Sequence, residues 1–383
     1  MNLKSTHPQK YCLRAMCKAL YYLGMGEFWY EETERSKYRL VLYSIWVAVT
    51  NAVNFLLVIN EVLACVRPDV NLDKTNKYAQ FTIAYVSVYL KCVVMQLYKG
   101  KIKKMVEVLV ESNRSVYASF DQDKASVVQS MRFCVPLLIA MLMNFSMAVF
   151  NAIRIHVKTG EPIRTLATLY PHSQQNGVLT AVLQIMIELH GWYLGAALVT
   201  IDCLSFCCLV FTQYKFRIVR LHFLKLREDF SEANSMSGNE YENGFVIGIK
   251  LHEDALWCAR SIQKTLGRVF DVQIGQSMTI IAISLIVVVK IENEENFMSA
   301  AWCLTVHPGS SPFCSQASLV PMTVFHSGWE LTKARVGLRT LAVVALQRAQ
   351  HPVDMKAFGM ITLSYESFIS VLQTSYSFFA LMY

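Results

Sequence analysis

The residues best suited to a chemical task lie at the C-terminal end of the chain. Ser370, Thr374, Ser377 and Leu381 follow one another at intervals of four, three and four. On an α-helix these intervals bring the side chains to one face, and Gln373 borders that face. In a membrane, small hydroxyl residues either let helices pack closely or line a water-filled path for ions. Periodicity alone leaves both interpretations open.

Ionisable side chains also occur inside apolar stretches, where they are costly and often functional. Glu188, His190 and Asp202 lie in one such stretch, and Lys91 lies in another. Glu188 and His190 are either ligand contacts or packing residues. Lys91 is expected to extend its ammonium to the membrane interface.

The sequence shows no pattern typical of catalysis or of a cofactor site. The eleven cysteines are scattered without metal-ligand spacing. There is no Gly-rich phosphate loop and no plausible nucleophile with its base. We therefore predict that the protein is not an enzyme and binds neither a metal nor a cofactor. Cys303 and Cys314 could form a disulfide if their segment is extracellular.

Composition explains which elements must position these residues. Hydrophobic residues make up 54% of the 383 residues, charged residues make up only 17%, and the mean hydropathy is +0.33. Soluble domains carry about 25% charged residues. The composition argues against a disordered protein, a nucleic-acid binder and a typical cytosolic enzyme. It favours an all-α membrane protein with several crossings.

Apolar stretches of about 20 residues mark the crossings. Six stretches are strong candidates, and a seventh, at 300–325, is doubtful. The doubtful span lies within segment 296–331, which the Pro308–Pro312 turn cluster interrupts. Either this sixth helix is divergent, or the segment reflects a gene-model error such as an intron read as coding. The six strong spans are 40–60, 78–98, 133–153, 178–212, 272–290 and 360–383.

Basic residues set the orientation of these spans. With a cytoplasmic N-terminus and seven crossings, inner segments hold 28 of the 36 Lys and Arg residues and outer segments hold 7. Positive charge accumulates on the cytoplasmic side of membrane proteins. Residues 1–383 are therefore expected to form one seven-transmembrane helix bundle with a cytoplasmic N-terminus and an extracellular C-terminus. This topology is inverted relative to that of G-protein-coupled receptors, and it requires segment 296–331 to cross the membrane.

Three stretches resemble the insect odorant receptor family. The ending LSYESFISVLQTSYSFFALMY resembles the C-terminal signature of that family, and HSGWELTKARVGLRTLAVVALQRAQHPVDMKAFGM resembles the lead-in to its last helix. LVTIDCLSFCCLVFTQYKFRIVRL resembles the fourth helix of the family and the loop that follows. Gustatory receptors share the topology, but their Thr-Tyr and Gln-Phe pairs are missing from the final helix here.

The resemblance implies an odorant-specific subunit of a ligand-gated, non-selective cation channel in the plasma membrane of olfactory neuron dendrites. The implied partners are the odorant receptor coreceptor in a heterotetramer, a small volatile odorant, permeating cations and membrane lipid, but no nucleic acid. Each subunit would give its last helix to the pore, with Leu381 at a hydrophobic gate and Ser370, Gln373, Thr374 and Ser377 beside it. The alternatives are a gustatory-type channel and a polytopic transporter, although no internal repeat is visible.

The resemblance also places an odorant pocket in the outer half of the bundle, among the second, third, fourth and sixth helices. Apolar side chains with a few polar atoms suit small volatile ligands. Ordinary bundle packing is the alternative for each residue. The candidates are Phe81, Tyr85 and Tyr89 on the second span, Phe145, Val149 and Phe150 on the third, and Leu183, Met186, Ile187 and His190 on the fourth.

Overall fold

The computed structural model describes most of the chain as a bundle of helices. Within the described residues there are eleven helices and one short hairpin. The described ranges are 8–25, 36–65, 72–111, 121–159, 169–170, 177–231, 237–290, 316–330, 336–351, 353–362 and 365–382. The helices are α1 (Pro8–Tyr22), α2 (Lys37–Cys65), α3 (Leu72–Leu97), α4 (Lys99–Glu111), α5 (Asp121–Thr159), α6 (Val178–Ser231), α7 (Gly238–Thr265), α8 (Gly267–Lys290), α9 (Val320–Phe325), α10 (Val336–Gln350) and α11 (Tyr365–Met382).

Helix α2 buries polar side chains and exposes apolar ones, which is the opposite of a helix in a soluble protein. Its buried residues are Thr50, Asn54, Glu61 and Ala64, which fall on one face at intervals of four, seven and three. Most of its large apolar side chains, such as Trp46 and Leu56, are exposed. A helix that turns polar groups inward and apolar groups outward is suited to a lipid environment.

The apolar surface continues on neighbouring helices. Exposed large hydrophobic residues run along α5 from Val135 to Val157 and along the start of α6 from Val178 to Leu189. A patch of this size on a single chain marks a surface for lipid or for another subunit. Among the described residues, α2 and α6 are long and apolar enough to cross a bilayer by length and composition.

Helix α6 forms the central axis of the described bundle. It has 54 residues, which corresponds to a length of about 80 Å. This exceeds the hydrocarbon thickness of about 30 Å, so much of α6 must project beyond the bilayer. Its residues 201–212 are all buried, because α1, α3, α5 and α7 contact it from different sides.

Helices α7 and α8 follow one another with a single break. A capping box in which Ser237 and Glu240 bond each other's backbone N–H groups starts α7. Leu266 separates the two helices. α7 packs along the projecting half of α6, while α8 packs against α3 and α11. This single path therefore connects the projecting part of α6 to the last helix.

The last helix begins later than the sequence predicts. Lys356–Ala357 (β1) and Ile361–Thr362 (β2) pair as an antiparallel hairpin, so α11 starts at Tyr365 instead of near residue 360. The turn places Phe358 at φ 51° and Gly359 at φ 70°, and glycine adopts such values at no steric cost. The hairpin thus separates the basic helix α10 from α11.

The other predicted spans fall within helices. Spans 40–60, 133–153, 178–212 and 272–290 lie inside α2, α5, α6 and α8, and span 78–98 ends one residue beyond α3. Of the doubtful segment, only residues from 316 onward are described. Residues 316–318 and α9 are helical, and Gly328 then turns the chain at φ 93°. Residues 296–315, with Cys303 and Cys314, lie outside the described residues.

Candidate functional site

The polar face of α11 is exposed in the isolated subunit. Ser370, Gln373, Thr374 and Ser377 are all exposed. The Thr374 hydroxyl donates to the Ser370 carbonyl at 2.8 Å, and the Ser377 hydroxyl donates to the Gln373 carbonyl at 2.9 Å. Each hydroxyl therefore has an acceptor for its proton within the helix and keeps lone pairs for water or a cation. The Leu381 side chain lies outside the described residues.

The hairpin before α11 is bound to the junction of α7 and α8. The Gln263 side chain donates to the Lys356 carbonyl at 2.6 Å and accepts from the Lys356 N–H at 2.8 Å. The Phe358 N–H donates to Asp271 Oδ1 at 2.5 Å. Two side chains thus replace a neighbouring strand, because they satisfy backbone groups at a sheet edge. These contacts therefore attach the chain just before α11 directly to α7 and α8.

Three helices meet at the end of the bundle that we predict to be extracellular. Cys65 Sγ lies 3.1 Å from Thr82 Oγ1, which fixes the register of α2 against α3. His190 Nε2 donates to Asn54 Oδ1 at 2.5 Å, which brings α6 against α2. Asn60 binds backbone groups of Leu169 and Tyr170 near the end of α2. The region between these contacts is therefore enclosed by α2, α3 and α6.

This enclosed region contains unpaired polar atoms. Glu61 is 2% exposed and Tyr85 is 5% exposed. Within the described structure, neither oxygen of the Glu61 carboxylate has a hydrogen-bond partner, and the Tyr85 hydroxyl has none. Glu61 interacts electrostatically with Glu188 and Tyr85, so the three groups lie near one another. Buried polar atoms normally have partners, which makes this cluster the strongest candidate for a ligand-binding site.

The predicted pocket residues divide into inward and outward groups. Tyr85 is buried, and Tyr89 is half-buried with its ring centroid 6.4 Å from that of Phe55. Phe150 and Met186 are 69% and 62% exposed, so the structure does not bring them together with Tyr85. The side chains of Phe81 and Phe145 lie outside the described part. The remaining candidates, Val149, Leu183, Ile187 and His190, are half-buried.

Sequence analysis missed Glu61 and Asn54, which the structure places beside the candidate pocket. The predicted first span ended at residue 60, one position before Glu61. The available signal was the spacing of Thr50, Asn54 and Glu61, which puts three polar residues on one face of an otherwise apolar helix.

A buried ion pair lies deeper in the bundle. Lys91 Nζ donates to Asp202 Oδ1 at 2.8 Å and also contacts the side-chain oxygen of Gln273. The Lys91 side chain is 0% exposed, so the expectation that it reaches the membrane interface is wrong. Asp202 provides the counter-charge that keeps the ammonium inside. The pair joins α3, α6 and α8.

The projecting half of α6 is packed by aromatic residues. The Tyr241 hydroxyl donates to the Ser327 carbonyl at 3.1 Å, which joins α7 to the segment after α9. Burial raises the pKa of Tyr241 to about 12. His222 Nε2 donates to the Gly244 carbonyl at 2.8 Å, and burial lowers the pKa of His222. This region is therefore closely packed beneath the predicted membrane spans.

Comparison with known proteins identifies the family. The family model described as "7tm Odorant receptor" matches residues 71–376, which is most of the chain. The chain belongs to the 7tm odorant receptor family. It is therefore a multi-pass membrane receptor with an all-α, seven-transmembrane fold, and it is not an enzyme. The prediction that the chain resembles insect odorant receptors is confirmed.

Solved odorant receptors share this fold. The olfactory receptor OR5 from Machilis hrabei superposes with a TM-score of 0.82 and 11% identity, with 98% of each chain covered. Its complex with eugenol gives a TM-score of 0.80 and 11% identity, with 96% of each chain covered. At this identity the likeness concerns the fold. No curated protein sequence matches the chain.

Proposed function

We propose that this odorant receptor is the odorant-specific subunit of a ligand-gated, non-selective cation channel that assembles with the odorant receptor coreceptor. The observation that carries the proposal is the exposed polar face of α11, with Ser370, Gln373, Thr374 and Ser377. Lipid offers no partner to the Gln373 amide or to the free lone pairs of the hydroxyls, whereas copies of the helix around a central axis would enclose water beside them. Leu381 would supply the hydrophobic constriction of that pore.

The route from ligand to pore follows the contacts of α3 and α8. Tyr85 and Lys91 lie on α3, and Lys91 binds Asp202 and Gln273 on α6 and α8. α8 packs on α11 and holds its hairpin through Asp271. A ligand that shifts α3 would therefore act on the pore helix through packed elements. A structure of OR5 from Machilis hrabei is in complex with eugenol, which supports a small organic ligand for this chain.

The proposed topology has a cytoplasmic N-terminus, an extracellular C-terminus and a location in the plasma membrane of olfactory dendrites. Under it, α7, the lower part of α6 and the hairpin are cytoplasmic. Residues 296–331 must cross the membrane, and the helical residues 316–318 and α9 support a helix at the inner end of this crossing. Sequencing the transcript across this segment separates a divergent sixth helix from a gene-model error.

Expression with and without the coreceptor tests the function. Cells that carry both proteins should respond to members of a broad volatile panel with cation currents, and cells with either protein alone should not respond to the same compounds. Surface labelling of the C-terminus controls for delivery. Current from this chain alone would support a gustatory-type channel instead. Silence of the delivered pair across the panel would contradict the proposal.

A further inference from the structure

Glu61 on α2, Tyr85 on α3 and Glu188 on α6 form a cluster between these three helices. Antiparallel helices α2 and α3 are in register through Cys65 and Thr82, with a sulfur–oxygen distance of 3.1 Å. Glu61 lies about one turn before Cys65, and Tyr85 lies about one turn after Thr82. The carboxylate and the phenol therefore occupy the same layer of the bundle.

The oxygens of this layer are enclosed and lack donors. Both Glu61 oxygens and the Tyr85 hydroxyl are buried without a hydrogen-bond partner in the described structure. An isolated ionised carboxylate is expensive to bury, and a second carboxylate nearby, that of Glu188, increases the cost. Such a site is stabilised by any group that brings positive charge and several N–H donors.

The basic side chains described nearby are committed to other partners. Lys91 binds Asp202 and Gln273. His190 donates to Asn54, and its ring packs 5.3 Å from that of Tyr193. Neither is available to Glu61 in this arrangement. Without a cationic partner a buried carboxyl group takes up a proton, and it becomes ionised only when a cation enters the site.

We propose that this cluster is the polar end of the ligand site and that the ligand is a small aliphatic amine bound as its ammonium ion. A primary ammonium has three N–H donors, which matches the three unpartnered oxygens of Glu61 and Tyr85. Its alkyl part would contact the half-buried side chains of Leu57 and Val58, which lie about one turn before Glu61 on α2. A bare divalent metal ion fits less well, because it requires about six oxygen ligands. The inference rests on the proposed function and names the ligand class of that site.

Binding of a matched pair of compounds tests the charge requirement. The full-length protein, purified with its coreceptor, is titrated with 3-methylbutylamine hydrochloride and with 3-methylbutan-1-ol, and thermal unfolding is followed. These probes share their alkyl group and differ in the polar head. We expect the amine to bind about tenfold more tightly than the alcohol, because hydrogen bonds to charged groups are the stronger ones. Equal or weaker binding of the amine would overturn the inference.

Substitutions locate the effect. Glu61→Gln keeps the shape of the side chain and removes its charge, so the preference for the amine should disappear while binding of the alcohol persists. Tyr85→Phe should reduce the preference less. Glu253→Gln, at an exposed carboxylate on α7, is the matched control and should behave as the wild type. A preference that survives Glu61→Gln would contradict the site even if the protein binds amines elsewhere.

Current recordings separate this inference from the proposed function. If the complex responds to alcohols or esters but not to amines, the channel function stands and the amine site is wrong. If amines bind in the unfolding assay but no compound evokes current, the site stands and the channel proposal fails. If Glu61→Gln does not fold, the Tyr85→Phe variant and the wild-type comparison of the two probes still decide the matter.

Discussion

Lys91 Nζ lies 2.8 Å from Asp202 Oδ1, and the two side chains are 0% and 2% exposed. The residues belong to α3 and α6, and Gln273 on α8 completes the contact. Since both charges are removed from solvent, each depends on the other to remain inside.

Breaking this pair should destabilise the receptor strongly. Lys91→Met leaves Asp202 as an uncompensated buried charge, and we expect a loss of about 3–5 kcal/mol and a large fall in the amount of folded receptor. Fluorescence-detected size exclusion after heating measures the change. The double variant Lys91→Met/Asp202→Leu removes both charges and should recover much of the stability. Lys103→Ala breaks the exposed pair with Glu107 and should cost below about 1 kcal/mol.

The gate prediction concerns Leu381. Leu381→Ala should increase current in the absence of odorant or alter ion selectivity, because a smaller side chain weakens a constriction that excludes water. Whole-cell recording of the complex with the coreceptor measures both properties. Ile369→Ala lies on a different side of α11 and should leave basal current unchanged. Unchanged conduction in Leu381→Ala would indicate that the polar face of α11 serves helix packing and does not line a pore.

The hairpin should affect gating more than folding. Gln263→Ala removes two hydrogen bonds to Lys356, at 2.6 and 2.8 Å, which hold the start of α11 to α7. We expect a changed odorant concentration for half-maximal current and a stability loss of only about 1–2 kcal/mol. Asp354→Asn, at an exposed neighbouring position, is the control. A normal dose–response curve at normal surface expression would show that this contact does not transmit motion.

Close packing between α6 and α7 depends on Gly248. A Cβ atom at this position would lie 2.5 Å from Phe223 Cζ and 3.0 Å from His222 Cδ2. Gly248→Ala should therefore destabilise the receptor by about 1–3 kcal/mol. Gly337→Ala, where no atom lies within 4 Å of the added Cβ, should be neutral or stabilising. Combining Gly248→Ala with Phe223→Leu should recover part of the loss, and a failure to do so would assign the cost to the backbone.

Acid should destabilise the projecting half of the bundle through His252. Burial, together with the positive charge of Arg348, lowers the pKa of His252 to about 4. The unfolded chain binds a proton near its ordinary pKa of about 6.5, so the free energy of unfolding falls as pH drops from 6.5 towards 4. We expect a loss on the order of 2 kcal/mol between pH 7.5 and pH 5. His252→Gln should flatten this pH dependence of thermal unfolding, whereas His351→Gln, at an exposed position, should not.

Hydropathy predicted the helical fold because it depends on whole segments. The apolar stretches coincide with α2, α3, α5, α6 and α8 to within a residue, and the last helix begins about five residues later than predicted. The hairpin at 356–362 was missed because its strands are two residues each and carry no alternation that a pattern could detect. Local irregularities of this kind depend on tertiary partners, here Gln263 and Asp271.

Individual polar residues were harder to assign than segments. Tyr85 was predicted to face the pocket and is buried, whereas the orientation of Lys91 was wrong because the sequence does not show that Asp202 lies opposite. Glu61 was missed because hydropathy ends a span at the first charge, although the helix continues to Cys65. Pairing across helices far apart in sequence cannot be read from the period of one helix.

The polar residues that α2 turns towards the interior of the bundle have a consequence for biosynthesis. Ribosomes deliver α2 to the translocon before α3 and long before α6, so Glu61 and Asn54 enter the bilayer ahead of the helices that cover them. The nascent chain therefore passes through a stage in which the Glu61 side chain is not yet covered by α3 and α6. Assembly of the first helices must be delayed, shielded by a chaperone, or completed only after α6 has been translated.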